Sequence, residues 1–136
     1  RGPHRTFVWV GSRNASAPLH FDTSHNLYFQ AYGAKRFFLM PPTEHPHLYV
    51  HPVAHPADRQ SQVPWRPLDG WMVDHTRFPL FLNVETVHVA ELGPGDMLLL
   101  PALWFHYVQA QSSSSISVNL WQLSGDAAAL TQILAD

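Results

Sequence analysis

Leu27-Tyr28-Phe29-Gln30-Ala31-Tyr32, then Gly33-Ala34, then Lys35-Arg36-Phe37-Phe38-Leu39-Met40 is the stretch that decides the fold class. Aromatic and aliphatic residues crowd both arms, Gly33 supplies a turn between them, and Pro41-Pro42 stops the second arm. The segment therefore reads as two strands joined in a hairpin. The same grammar recurs on either side. Thr6-Phe7-Val8-Trp9-Val10 ends at Gly11, and Val84-Glu85-Thr86-Val87-His88-Val89 runs through the Gly93-Pro94-Gly95-Asp96 turn into Met97-Leu98-Leu99-Leu100. Phe105-His106-Tyr107-Val108 and Ile116 to Trp121 follow, with Ser112 to Ser115 as a flexible turn between them. Only Asp126 to Leu134 reads as helix, with Asp126 as its N-cap and Ala and Leu favouring it beyond. Residues 41–83 form a long Pro-rich connection whose aromatic content predicts an ordered, packed loop. Short strands split around one large insertion predict an all-β sandwich or jelly roll closed at both ends, rather than a parallel sheet with crossover helices.

At 136 residues the chain is expected to be a single domain, 1–136, large enough for one core. It opens at Arg1 with no charged-then-apolar leader and no long apolar run, so neither a signal peptide nor a membrane span is expected, and the domain reads as excised from a longer polypeptide. Eight Lys and Arg against ten Asp and Glu give a net charge of -2, without the basic footprint of phosphate neutralisation; nucleic acid stays open only as a substrate. The absence of cysteine excludes a disulfide framework and a thiolate metal site, and fits a reducing cytoplasmic or nuclear compartment. Any metal must therefore use nitrogen and oxygen ligands.

His20 and Asp22 are two apart, so on an extended strand both side chains project from one face while Phe21 points to the other. His106, far downstream in Leu103-Trp104-Phe105-His106-Tyr107, is the candidate third ligand. Two imidazoles and a carboxylate on one side of a metal form the facial triad of non-haem Fe(II) oxygenases, which leaves positions open for a co-substrate and O2. In a chain with ten His such a pair arises readily by chance, and His106 alone would read as a core histidine bonded to backbone. A jelly roll brings such distant strands together on its inner face, which favours the metal. Seven of the other histidines, His25, His45, His47, His51, His55, His75 and His88, lack a coherent ligand spacing and read as loop and surface residues.

Lys35 opens an otherwise apolar strand. If it faces inward, either its ammonium reaches out to solvent or a bound carboxylate neutralises it. Asn26 and Asn119 are amides within strand-like runs, where Asn is depleted, and so are expected to be there for hydrogen bonding, unless Asn26 caps a turn.

His20-Phe21-Asp22, Asn26-Leu27, Gly33-Ala34-Lys35-Arg36, Pro41-Pro42, Gly93-Pro94-Gly95-Asp96, Pro101 with Trp104 and His106, and Asn119-Leu120-Trp121 together resemble the JmjC-type, cupin-like Fe(II)- and 2-oxoglutarate-dependent oxygenases over nearly the whole chain. Within that family, Leu48-Tyr49, His55 to Val63 and Arg77-Phe78-Pro79 are most similar to the asparaginyl hydroxylase called factor inhibiting hypoxia-inducible factor. The resemblance implies a double-stranded β-helix in which His20, Asp22 and His106 bind iron. It implies that Lys35 pairs with the distal carboxylate of 2-oxoglutarate, that Asn26, Asn119 and Tyr28 line its pocket, and that Trp121 walls the iron. Arg59 and Gln60 match positions that hold a peptide substrate, though they read equally as loop-stabilising residues. The pattern departs at Ala17, where the likened hydroxylase has a co-substrate-contacting Thr; a further Tyr contact would precede Arg1, and dimer-forming helices would follow Asp136.

The activity so implied is oxidative decarboxylation of 2-oxoglutarate coupled to hydroxylation of an Asn, Asp or His side chain in a protein or peptide, with Tyr28, Trp104, Phe105 and Trp121 excluding water. The alternatives within the family are histone lysine demethylation and RNA-base hydroxylation. Outside it stand a non-catalytic β-sandwich that binds a partner through its Pro-rich connection, and a cupin holding zinc; neither needs an anion-binding Lys35 beside the metal.

Overall fold

The computed structural model describes residues 4–70 and 72–122. The strands are β1 (His4–Ser12), β2 (Ser16–Phe21), β3 (His25–Tyr32), β4 (Lys35–Met40), β5 (His88–Leu92), β6 (Met97–Leu100), β7 (Phe105–Ala110) and β8 (Ser114–Gln122). They build two four-stranded antiparallel sheets, ordered β1-β8-β3-β6 and β2-β7-β4-β5. Every consecutive pair except β4 and β5 changes sheet, which is the winding of a jelly roll or double-stranded β-helix. The all-β, cupin-like expectation holds. The expected helix from Asp126 to Leu134 lies outside the described residues.

The hairpin expected at Gly33-Ala34 does not form. β3 pairs with β6 and β8, and β4 pairs with β5 and β7, so each strand is flanked on both edges and has none left for its chain neighbour. The two-residue connection instead carries the chain from one sheet to the other. Gly33 sits at φ +68, a left-handed conformation that costs a side-chain-bearing residue about 1–2 kcal/mol. The Gly93–Asp96 turn is a second such crossing, closed by Gly93 N–H donating to Asp96 Oδ2 at 2.8 Å and tied to β3 by Gln30 N–H donating to the Asp96 carbonyl at 2.9 Å. Two further boundaries differ from the sequence reading: β5 begins only at His88, and Ser114 and Ser115 belong to β8. Ser115 is fully buried, where it accepts a hydrogen bond from Gln30 Nε2 at 2.9 Å.

The two sheets are covered unequally. Leu19 and Phe21 of β2, Met40 of β4 and Phe105 and Tyr107 of β7 form a buried cluster with Leu48, and Trp65 and Phe81 of the insertion pack against it. The segment between β4 and β5, with 3-10 turns at Pro42–His47 and Pro79–Asn83, is thus the ordered, packed loop that its aromatic content predicts. Its anchor is Glu44. This buried carboxylate accepts hydrogen bonds from the Thr86 and Glu85 amides at 2.9 and 3.3 Å and lies 3.1 Å from His47 Nδ1, fixing the entry to β5. On the first sheet the outward residues Val8, Val10, Met97 and Leu99 are exposed among the described residues. No helix among the described residues is long and apolar enough to cross a membrane.

Candidate metal and co-substrate site

His20 on β2 and His106 on β7 are register partners on the inner face of their sheet. An irregularity between Ala17 and His20 re-aims the end of β2, a common use of bulges beside functional sites. Asp22 falls one residue beyond β2 instead of on it, and the Leu103 amide donates to its carbonyl at 2.7 Å. The chain at Leu103 turns through φ 68 to make that contact. One ligand atom each from His20, Asp22 and His106 lies within 4.8 Å of the others, and among the described residues no other group of three His or acidic side chains does so. The imidazole rings are 4.2 Å apart, and His106 Nε2 lies 3.7 Å from Asp22 Oδ2.

Both rings are fixed by the backbone. His20 Nδ1 lies 2.7 Å from the Pro18 carbonyl and His106 Nδ1 lies 3.1 Å from that of Trp104. A carbonyl only accepts, so each proton sits on Nδ1. In the neutral ring the Nε2 lone pair is then free for a metal, the orientation that backbone partners impose on ligating histidines. Burial pushes the His106 imidazole down to about 3, aided by His20 and opposed by the Trp104 hydrogen bond, so the ring is neutral near pH 7. Burial pushes the Asp22 carboxyl up, against the lowering pull of His20 and Arg59. A partly buried carboxylate facing two imidazoles, of which burial keeps His106 neutral, suits a divalent ion.

From this corner a cavity of about 210 Å3 runs between the sheets toward Lys35. Its walls carry unpaired polar atoms: Asn26 Oδ1, Asn119 Oδ1 and Trp121 Nε1 are buried with no hydrogen-bond partner among the described residues. Buried polar atoms are normally satisfied, so three on one cavity wall point to a polar ligand. Lys35 and Leu39 are four residues apart on β4, and Leu39 pairs with His106; Lys35 is thus based about 13 Å along the strand from the histidine row. Its ammonium donates to Tyr28 Oη at 2.6 Å and Ser117 Oγ at 2.9 Å and has no carboxylate partner among the described residues. Burial lowers the Lys35 ammonium and raises the Tyr28 phenol to about 12, the latter against the opposing Ser117 hydrogen bond. The donor set and the orphaned amides fit a metal-chelating organic anion whose far end is a carboxylate.

The remaining expected site residues fall in several places. Asn26 faces Trp121 across β3 and β8, and Tyr28 faces Asn119, all on the inner face of the first sheet. Phe105 turns away from the cavity into the Phe21 and Leu48 cluster, and Trp104 packs beside His88, so neither walls the site as expected. Arg59 and Gln60 extend β2 by one short edge: the Phe21 amide donates to the Arg59 carbonyl at 3.1 Å and the Ser61 amide to the Leu19 carbonyl at 2.8 Å. The Arg59 side chain, half exposed, borders a second cavity with Phe21, Val50 and His51. Sequence reasoning missed Ser117, although the alternation Ser115, Ser117, Asn119, Trp121 marks the inward face of β8.

The profile of the cupin-like domain matches residues 1–124, and the chain belongs to that family, in its JmjC-type branch. Among its relatives are HSPB1-associated protein 1 of Bos taurus, 35% identical over 89% of this chain and 24% of that protein, and the human bifunctional peptidase and (3S)-lysyl hydroxylase JMJD7, 34% identical over 88% and 42%. The lysine-specific demethylase JMJ32 of Arabidopsis thaliana is 27% identical over 88% of this chain and 41% of that protein. The chain thus spans a quarter to two fifths of the length of these relatives. In fold alone it is similar to KdgF from Halomonas sp., at a TM-score of 0.52 and 13% identity over 93% of this chain and 75% of that one.

Proposed function

We propose that this domain is the catalytic part of an Fe(II)- and 2-oxoglutarate-dependent oxygenase that hydroxylates a protein or peptide side chain. The observation that carries the reading is the Lys35 ammonium, inward and without a carboxylate partner among the described residues, at the opposite end of one cavity from His20, Asp22 and His106. A zinc cupin or a partner-binding sandwich has no use for that pairing. His20, Asp22 and His106 would hold the iron, which when bound activates O2 at the expense of a chelated keto acid. Lys35 neutralises the distal carboxylate. Asn26 and Asn119 lend their amides to the co-substrate, and Trp121 and Tyr28 limit water at its flanks. Both histidines donate Nδ1–H to backbone carbonyls, which leaves each Nε2 to the metal.

For the substrate, Arg59, exposed beside Asp22, and Gln60, which joins His20 in a backbone bridge, are assigned to an extended peptide. The likeness of His55 to Val63 to the asparaginyl hydroxylase supports Asn, Asp or His as the target, while JMJD7 and JMJ32 among the relatives keep lysine as the alternative. The domain is assigned to a longer polypeptide, whose other segments would carry any dimer interface.

The test is an anaerobic titration of the metal-free chain with Fe(II) and then 2-oxoglutarate, followed by the visible absorption of the chelated keto acid. A saturable band is expected that is lost in His106→Ala and needs at least about tenfold more co-substrate in Lys35→Ala, as removal of a buried ion-pair partner implies. Metal uptake without the band would overturn the oxygenase reading in favour of the zinc cupin, and a folded chain that takes up no metal would favour the partner-binding module.

A further inference from the structure

Ser117 lies on β8, fully buried and behind the cavity wall, where nothing in the metal chemistry requires a hydroxyl. Its Oγ nevertheless closes a triangle. Tyr28 Oη donates to it at 2.6 Å, Lys35 Nζ donates to it at 2.9 Å, and Lys35 Nζ donates to Tyr28 Oη at 2.6 Å. An ammonium has three N–H bonds, and this triangle occupies two of them, leaving the third for the cavity that Lys35 lines. The partners are both neutral. A carboxylate in either place would satisfy the same donors but cancel the charge, whereas hydroxyls hold the ammonium still and leave it electrostatically available. The bond from Lys35 to Ser117 also joins β4 of one sheet to β8 of the other, so the anion-binding end is tied across the sandwich.

We propose that Ser117 is a positioning residue for the carboxylate end of the cavity: together with Tyr28 it holds the Lys35 ammonium aimed at the distal carboxylate of the keto acid, and it thereby sets the preference for a dicarboxylate over a monocarboxylate. This rests on the co-substrate reading above. A lysine of this length has many rotamers, and freezing it before the ligand arrives removes an ordering cost that binding would otherwise carry. The benefit reaches only ligands long enough to touch Lys35. A short keto acid that chelates the metal alone gains nothing from Ser117.

The experiment compares 2-oxoglutarate with pyruvate, which offers the same chelating keto acid but no distal carboxylate, in anaerobic titrations of the Fe(II)-loaded chain. Ser117→Ala is expected to raise the Kd for 2-oxoglutarate about tenfold, roughly 1.4 kcal/mol, while that for pyruvate stays within about twofold. Tyr28→Phe removes another arm of the same triangle and is scored in the same way, so the conclusion does not hang on one variant folding. Equal weakening of both keto acids, or of neither, overturns the positioning role while leaving the oxygenase reading intact. If the unsubstituted chain binds neither keto acid, the oxygenase reading itself fails, and this inference with it.

Discussion

Replacing Gly33 by Ala should destabilise the domain far more than the same change at Gly70, because the two glycines share a backbone conformation and differ only in what surrounds them. Both sit in the left-handed region, at φ +68 and +69. That conformation costs an Ala about 1–2 kcal/mol, partly offset by the 0.4–1 kcal/mol that losing a glycine's freedom in the unfolded chain returns. At Gly70 a Cβ meets nothing within 4 Å among the described residues, so about 1 kcal/mol or less is the whole expected effect. At Gly33 the same Cβ would overlap the Ser114 carbonyl oxygen and Ser112 Oγ. The first is backbone at the start of β8, and the second accepts the Ala34 amide proton at 2.9 Å, so neither withdraws without loss. Overpacking of this kind costs about 1–3 kcal/mol. The total for Gly33→Ala is then about 1–4 kcal/mol, read from urea unfolding as a lower midpoint at unchanged slope, with Gly70→Ala as the internal control. The crossing at Gly33 also places Lys35, so co-substrate affinity should fall with stability in this variant alone. If the two variants unfold within about 0.5 kcal/mol of each other, the sheet-to-sheet crossing is not packed as described and the account of Lys35 placement falls with it.

Glu44→Gln keeps the shape of the side chain but weakens its hold on the Thr86 and Glu85 amides, and should cost about 1–3 kcal/mol in urea melts. Burial by itself pushes the Glu44 carboxyl up, but the hydrogen bonds from His47, Thr86 and Glu85 outweigh it and hold it below its ordinary 4.5. Its contribution is therefore fully present above about pH 4.5 and lost as the pH falls through the lower folded value, so the gap between wild type and Glu44→Gln should close on acidification below that point. A gap constant from pH 7 to pH 3 would remove Glu44 as the anchor of the insertion. Phe105→Ala should cost about 3–5 kcal/mol, since its fully buried ring packs edge-on against Phe21 at 5.1 Å, while Fe(II) affinity measured on the still-folded fraction stays nearly unchanged; a large loss of metal affinity would place Phe105 at the site after all.

The sequence made the chemistry legible more readily than the path of the chain, and the reason is local. His20, Lys35, Asn26 and Asn119 are polar residues in apolar strands, with Asp22 just past the end of one, and a buried polar group needs a partner whatever the topology, so the sequence marks it directly. Gly33-Ala34 satisfies the turn requirement of a hairpin and of a sheet crossing equally well; only the partners on either edge, β6 and β8 for one strand and β5 and β7 for the other, decide between them. Phe105 was misplaced because it neighbours a ligand in sequence, and in a strand a neighbour faces the opposite side. The alternation in β8 carries one more lesson. Ile116, Val118 and Leu120 point outward while Ser115, Ser117 and Asn119 point in, the reverse of an ordinary half-buried strand. β3 repeats it, with Asn26, Tyr28 and Gln30 inward against Leu27 and Phe29. The enclosed face is therefore divided: the polar residues of β3 and β8 border the cavity, while Tyr28 joins Phe37, Leu39, Leu92 and Leu100 in a buried apolar cluster between the sheets, a second core beside the one that the insertion forms on the outer face of the second sheet.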